Sequence, residues 1–127
     1  MSVQVSVIML GVQDVERATR FYVEGLGAEV DQDFPGFARC KLGDGSRVAL
    51  YEWEAAAQDA GVPAEGSGFR GVSFHFITDT REAVDETMEN AIAAGATATR
   101  PAADAGWGYF GYFSDPDGYL WKVAMAG

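Results

Sequence analysis

The chain has 127 residues, 48% of them apolar, with 19 acidic against 9 basic side chains and a net charge of −10. That length allows one compact domain, or two very small halves sharing a core. The charge argues against nucleic-acid backbones and anionic membranes as partners and would favour a cationic ligand, although solubility alone also accounts for it.

The first apolar run, residues 3–10, reads as a strand. It is too short to cross a bilayer and has no basic flank or cleavage site, so it is not a signal peptide. Asp14 then stands where an N-cap belongs, and residues 15–26 read as a helix. Ala18, Phe21, Tyr22 and Leu26 fall on one helical face, and Gly25 and Gly27 end the run. Three strands follow, at 28–33, 37–42 and 47–53, the last two joined by Gly43-Asp44-Gly45-Ser46. Cys40, the single cysteine, reads as a small apolar strand residue. It excludes an internal disulfide framework and fits a reducing cytoplasm, so a cytoplasmic location is expected.

The stretch AAAQDAGVPAEGSGF, 55–69, is small, polar and broken by glycine and proline. It reads as a linker whose Ala-rich start makes one short helical turn. After it the pattern returns. VSFHFITDTREA (72–83) superposes on VIMLGVQDVERA (7–18) at an offset of 65, which sets Asp79 against Asp14 and Val72 against Val7. A second helix is predicted over 82–94, with Ala83, Val84, Thr87, Met88, Ala91 and Ile92 inward and Gly95 closing it. Strands follow at 97–100, 109–114 and 120–125. The last two are joined by Asp115-Pro116-Asp117-Gly118, the counterpart of Asp44-Gly45. The fold class is therefore α+β, a single domain of two βαβββ modules (about 1–54 and 70–127). Neither module buries a core alone, so the two sheets are expected to curve around a shared cavity.

GVQDVERATRFYVEGLG near the start and GYFSDPDGYLWKVA near the end together resemble the vicinal oxygen chelate superfamily. That group holds glyoxalases, bleomycin-resistance proteins, fosfomycin-modifying enzymes and extradiol dioxygenases. The resemblance covers nearly the whole chain. It implies paired modules forming a cupped mixed sheet, a small-molecule ligand, and a homodimer. In metal-dependent members a divalent ion sits in the cup on His, Glu or Gln side chains and acts as a Lewis acid. Carried onto this chain, the four ligand positions hold Val7, Leu50, Val72 and Lys122. Three are aliphatic, and a protonated lysine has no lone pair to offer and repels a cation. Glu52, two residues after Leu50, compensates only through a register slip, and one carboxylate does not hold a divalent metal. No metal and no cofactor are expected.

Strand alternation from Val72 adds Phe74 and Phe76 to the cup and turns His75, the one histidine, toward the helices as a structural residue. A bulge would bring His75 inward as an acid or base. If residues 115–119 form a five-residue loop, Tyr112 lies opposite Lys122 and Phe110 shares its face. Trp107 and Tyr109 stand near the rim, and Trp53 ends the matching strand of the first module between Glu52 and Glu54. The expected ligand-binding set is Trp53, Phe74, Phe76, Trp107, Phe110, Tyr112 and Lys122, suited to a planar or aromatic compound. Lys122 then holds an anionic group of the ligand, or forms a salt bridge with Glu52 or another acid. Two functions follow. One is a binding protein that sequesters an aromatic or cationic drug unchanged, as bleomycin-resistance proteins do. The other is a glyoxalase-like lyase or isomerase, or a dioxygenase. That reading needs a relocated metal site (His75, Glu52 and Glu54) or metal-free acid-base chemistry by His75, Tyr112 or Lys122.

Overall fold

The structure is a computed structural model that describes residues 5–60, 62–66, 70 and 72–126. The chain divides into two compact units, Met1–Glu65 and Gly66–Gly127, each of α+β composition with one four-stranded mixed sheet.

In the first unit β1 (Ile8–Val12) leads into α1 (Val15–Arg20), and β2 (Glu29–Phe34), β3 (Phe37–Lys41), β4 (Arg47–Glu52) and α2 (Trp53–Ala60) follow. The sheet order is β1-β4-β3-β2, with β1 and β4 parallel and the other pairs antiparallel. Asp14 caps α1: its carboxylate accepts from the Arg17 N–H at 3.1 Å, satisfying a donor that the helix start leaves open. The helix then widens into a π-helical turn, Phe21–Gly25, so the predicted span of 15–26 contains two helical geometries. Phe21 and Tyr22 are both buried in it and meet edge to face at 5.0 Å. Leu10, Val12, Val48 and Leu50, also buried, alternate onto one face of the sheet. Each such fully buried side chain stabilises the unit by roughly 1.5–3 kcal/mol. Cys40 is buried among them, and loss of hydration pushes its thiol pKa up, aided by the negative charge of Asp31.

The second unit repeats the plan with β5 (Phe74–Thr78), α3 (Arg81–Ala93), β6 (Thr97–Asp104), β7 (Tyr109–Ser114) and β8 (Leu120–Met125), in sheet order β5-β8-β7-β6. Val84, Met88 and Ala91 of α3 are buried at helical spacing, whereas Ile92, expected inward, is 46% exposed. Against α3 lies an aromatic layer. Phe74 and Phe76 sit 4.8 and 4.7 Å from Trp121, and Phe113 stacks on the same indole at 6.5 Å. Asp115-Pro116-Asp117-Gly118 closes the β7–β8 hairpin. The buried Asp115 carboxylate accepts from the N–H groups of Asp117 and Tyr119, both at 2.9 Å, and Gly118 takes φ +94°, a conformation glycine enters without steric cost.

Several predicted boundaries move. The first strand begins at Ile8 rather than Val3, and Val3 itself lies outside the described residues. The Ala-rich start of the linker forms eight helical residues, opened by Trp53, rather than a single turn. Strand β6 runs four residues beyond its predicted end at Arg100, through Pro101, because two register shifts flank Arg100 and bulged strands tolerate proline.

The most consequential difference is one residue in the repeat. The N-cap of α3 is Thr80, whose hydroxyl accepts from the Ala83 N–H at 3.0 Å; Asp79 lies one position outside. Aspartate and threonine are both good N-caps, so matching Asp79 to Asp14 by identity picked the wrong neighbour. The structural offset is therefore 66, not 65, and Ser73, not Val72, stands in register with Val7. Among the described residues, no helix is long and apolar enough to cross a membrane.

Candidate functional site

A one-residue shift in a strand exchanges its two faces. In β5 it reverses the predicted assignment. His75 pairs with Lys122 across the parallel β5–β8 ladder, and Lys122 pairs with Tyr112 across β7–β8, so all three share one face. Phe74 and Phe76 occupy the other, against Trp121 and α3. The predicted ligand residues Phe74 and Phe76 are thus half-buried on the α3 side of the sheet, against Trp121. His75, predicted to face the helix, stands on the open face, and no bulge is needed to bring it there. Tyr109 also turns toward α3: its hydroxyl donates to Asp85 at 2.6 Å, a bond that raises the phenol pKa. It is not a rim residue.

The face of the second unit turned away from α3 centres on Phe110, which is itself buried, 5% exposed, beneath its neighbours. Lys122 Nζ lies 4.4 Å from its ring centroid and the Arg100 guanidinium carbon 4.6 Å, both within cation–π range. Tyr112 meets Phe110 edge to face at 6.1 Å, and Lys122 Nζ is 5.9 Å from the Tyr112 ring. The His75 ring stands edge-on to Tyr112 at 6.5 Å, with Nε2 3.3 Å from the Ser73 hydroxyl. Trp107, on the loop between β6 and β7, is 74% exposed and 6.1 Å from Phe110. Of the predicted ligand set, Phe110, Tyr112, Trp107 and Lys122 therefore cluster on this face.

Arg100 was absent from the predicted set. It pairs with Tyr112, but the register shifts on both sides of it hide that pairing from simple strand counting. Gly111 makes the irregular strand possible. A Cβ there would come within 2.9 Å of the Ala102 backbone nitrogen, closer than atoms pack.

Lys122 forms no salt bridge within its unit among the described residues; the ion pair seen there joins Arg81 to Asp104 at 2.8 Å. Asp104 pairs with Tyr109 and so faces α3, where the Gly106 N–H and then Arg81 hold its carboxyl pKa below the ordinary range.

Trp53 and Glu52 belong to the first unit. Trp53 opens α2 and donates its indole N–H to the Ala64 carbonyl at 2.7 Å. It packs on Gly11 rather than ending a strand. Glu52, opposite Val12, shares the face of Leu50 and is exposed. Leu50 is fully buried, and its neighbours Ala49, also buried, and Tyr51 take the opposite face of the strand. The implied metal positions thus hold Val7, Ala49 or Tyr51, Ser73 and Lys122. Aliphatic groups, neutral hydroxyls and an ammonium do not fit a divalent metal that needs imidazole or carboxylate donors. Among the described residues, no group of three or more His, Cys, Asp and Glu side chains is placed to hold one. Of the relocated set, Glu52 and Glu54 belong to the first unit and His75 to the second.

No curated protein matches the sequence significantly. Solved structures do. A glyoxalase-related enzyme from Fulvimarina pelagi is 31% identical, with a TM-score of 0.85, 97% of this chain and 88% of that one being covered. A glyoxalase/bleomycin resistance protein/dioxygenase family enzyme from Burkholderia phytofirmans is 24% identical at a TM-score of 0.83, covering 94% and 96%. The genomically encoded fosfomycin resistance protein FosX from Listeria monocytogenes shares the fold at 21% identity and a TM-score of 0.76, covering 100% and 96%. The model of one family matches residues 4–123, nearly the whole sequence. This chain belongs to the Glyoxalase/Bleomycin resistance protein/Dioxygenase superfamily.

Proposed function

We propose that this protein binds a small aromatic compound on the open face of the second unit and sequesters it unchanged, in the manner of drug-resistance members of its family. The observation that carries this reading is the cluster of Phe110, Tyr112 and Trp107 around Lys122, at a position where metal-dependent relatives place a carboxylate. Aromatic side chains with a few polar groups suit a planar ligand, and the exposed Trp107 offers a stacking surface. The resemblance adds a homodimer to the proposal, and the lone Cys40 a cytoplasmic setting; light scattering of the purified protein reads the first.

The test is recovery. Purified protein is incubated with a panel of aromatic compounds, binding is followed by quenching of tryptophan fluorescence, and the ligand is re-isolated. Sequestration requires saturable binding and an unaltered compound. Stoichiometric divalent metal in the purified protein, with an activity lost to a chelator, would overturn this reading.

One observation favours a second reading, metal-free acid-base chemistry. His75 stands on the same face, edge-on to Tyr112 and cross-strand from Lys122. With the Ser73 hydroxyl held at Nε2, the imidazole's other ring nitrogen, Nδ1, is the one left to move a proton. Turnover of a bound compound that is lost in His75→Gln, with binding retained, selects this reading over sequestration.

A further inference from the structure

We infer that the ligand is an aromatic organic anion, of which an aryl carboxylate is the simplest form, despite the chain's net charge of −10. This rests on the proposal that the open face of the second unit is the ligand site, and concerns the charge that site selects.

The argument is one of local charge. The four strands of this unit contain a single acid, Asp104. It is turned to the opposite face and held by Arg81 and the Gly106 N–H. What remains on the open face is Arg100 and Lys122, both within 4.6 Å of the Phe110 centroid. Among the described residues neither is paired with a carboxylate, and both use an aromatic ring as their neighbour instead. The first unit treats its cations differently. There Asp31 takes bonds from Arg39 at 2.9 and 3.3 Å and from Arg47 at 3.0 Å, so one carboxylate serves two guanidinium groups.

Two cations over one ring repel each other, and an anion placed beside them relieves that repulsion while gaining charge-assisted hydrogen bonds. A guanidinium offers a planar fork suited to a carboxylate, and an ammonium offers a point charge. His75, cross-strand from Lys122, adds an imidazole N–H as a third donor group. The exposed Trp107, beside Phe110, supplies an apolar platform for the ligand's ring. A cationic drug, which the overall charge would attract from a distance, meets like charge at this face.

The experiment uses the full chain and three naphthalenes of one shape: 1-naphthoate, neutral 1-naphthamide and 1-naphthylmethylammonium, each titrated calorimetrically. Naphthoate is expected to bind about ten- to hundredfold more tightly than naphthamide, the range of a charge-assisted hydrogen bond. The ammonium compound is expected to bind most weakly. The naphthoate preference should shrink with added salt and should largely vanish in Lys122→Met and in Arg100→Met, with naphthamide affinity retained. Naphthamide or the ammonium compound matching naphthoate overturns the inference but leaves the aromatic-binding proposal standing. A naphthoate preference that survives both substitutions places the anion elsewhere and also overturns it. If none of the three binds, the inference and the proposal it rests on both fail.

Discussion

The two units share a plan and part company on their open faces. In the first, α2 lies across the end of β1, with Trp53 and Ala56 in ordinary contact distance of a Cβ at Gly11. At the structurally equivalent position the second unit has Ile77, 63% exposed. In the first unit, Arg39 and Arg47 share the Asp31 carboxylate; in the second, Arg100 and Lys122 rest on Phe110. Duplicated topology thus sets where side chains can stand without setting what they do. On the first unit's face two cations find a carboxylate between them. The other face, whose cations have only aromatic rings as neighbours, is the one we propose for binding.

The sharpest way to break this contrast is to remove the second unit's aromatic layer. Trp121→Ala takes away the indole on which Phe74, Phe76 and Phe113 pack. It is expected to cost about 3–5 kcal/mol in denaturant unfolding. A loss below about 1 kcal/mol would show that the aromatic layer is not what holds the second unit together.

A smaller effect distinguishes two glycines. Gly111→Ala pushes a Cβ against the β6 backbone and is expected to cost about 1–3 kcal/mol and to disturb Arg100. Gly11→Ala meets its neighbours at 3.5 Å or more and should stay below about 1 kcal/mol. Equal costs in the unfolding midpoint would mean that the bulged β6 strand yields easily and that Gly111 does not position Arg100.

The equivalence of Asp14 with Thr80 predicts a third ordering. Thr80→Ala should lose about 1 kcal/mol, as should Asp14→Ala, because each removes an N-cap acceptor. Asp79→Ala should change stability by less than about 0.5 kcal/mol. A larger loss at Asp79 than at Thr80 would restore the offset of 65 and return His75 to the helix side.

The smallest expected effect is a pH dependence in the first unit. Hydrogen bonding from Arg39, then Arg47, holds the Asp31 carboxyl below its ordinary value of 3.8. A carboxylate with a depressed folded pKa contributes stability above its unfolded pKa and loses it as pH falls through the folded one. The denaturation midpoint should therefore drop modestly below about pH 4. In Asp31→Asn that share of the drop should disappear; an unchanged acid limb would mean the exposed cluster contributes nothing.

Much of the site was legible because a short hairpin links its strands. The Asp-Pro-Asp-Gly turn fixes how β7 meets β8, so Tyr112 opposite Lys122 could be counted from the loop alone. No turn joins β5 to β8. Their parallel pairing is reached through α3 and two further strands, and nothing local reports its register. A choice between two adjacent capping residues then decided, wrongly, which face Phe74, His75 and Phe76 take. Arg100 was concealed for a related reason: a bulge breaks the alternation by which a strand's faces are read.

By itself, then, the sequence determined the doubled βαβββ order, both helices and the turn-closed hairpins, because capping, periodicity and turn chemistry act over a few residues. Only the tertiary structure decided that His75 joins Lys122 and that Arg100 completes a cationic pair over Phe110. Those facts depend on strand register across long separations and on which cations find a carboxylate. Neither is encoded in any short stretch of chain.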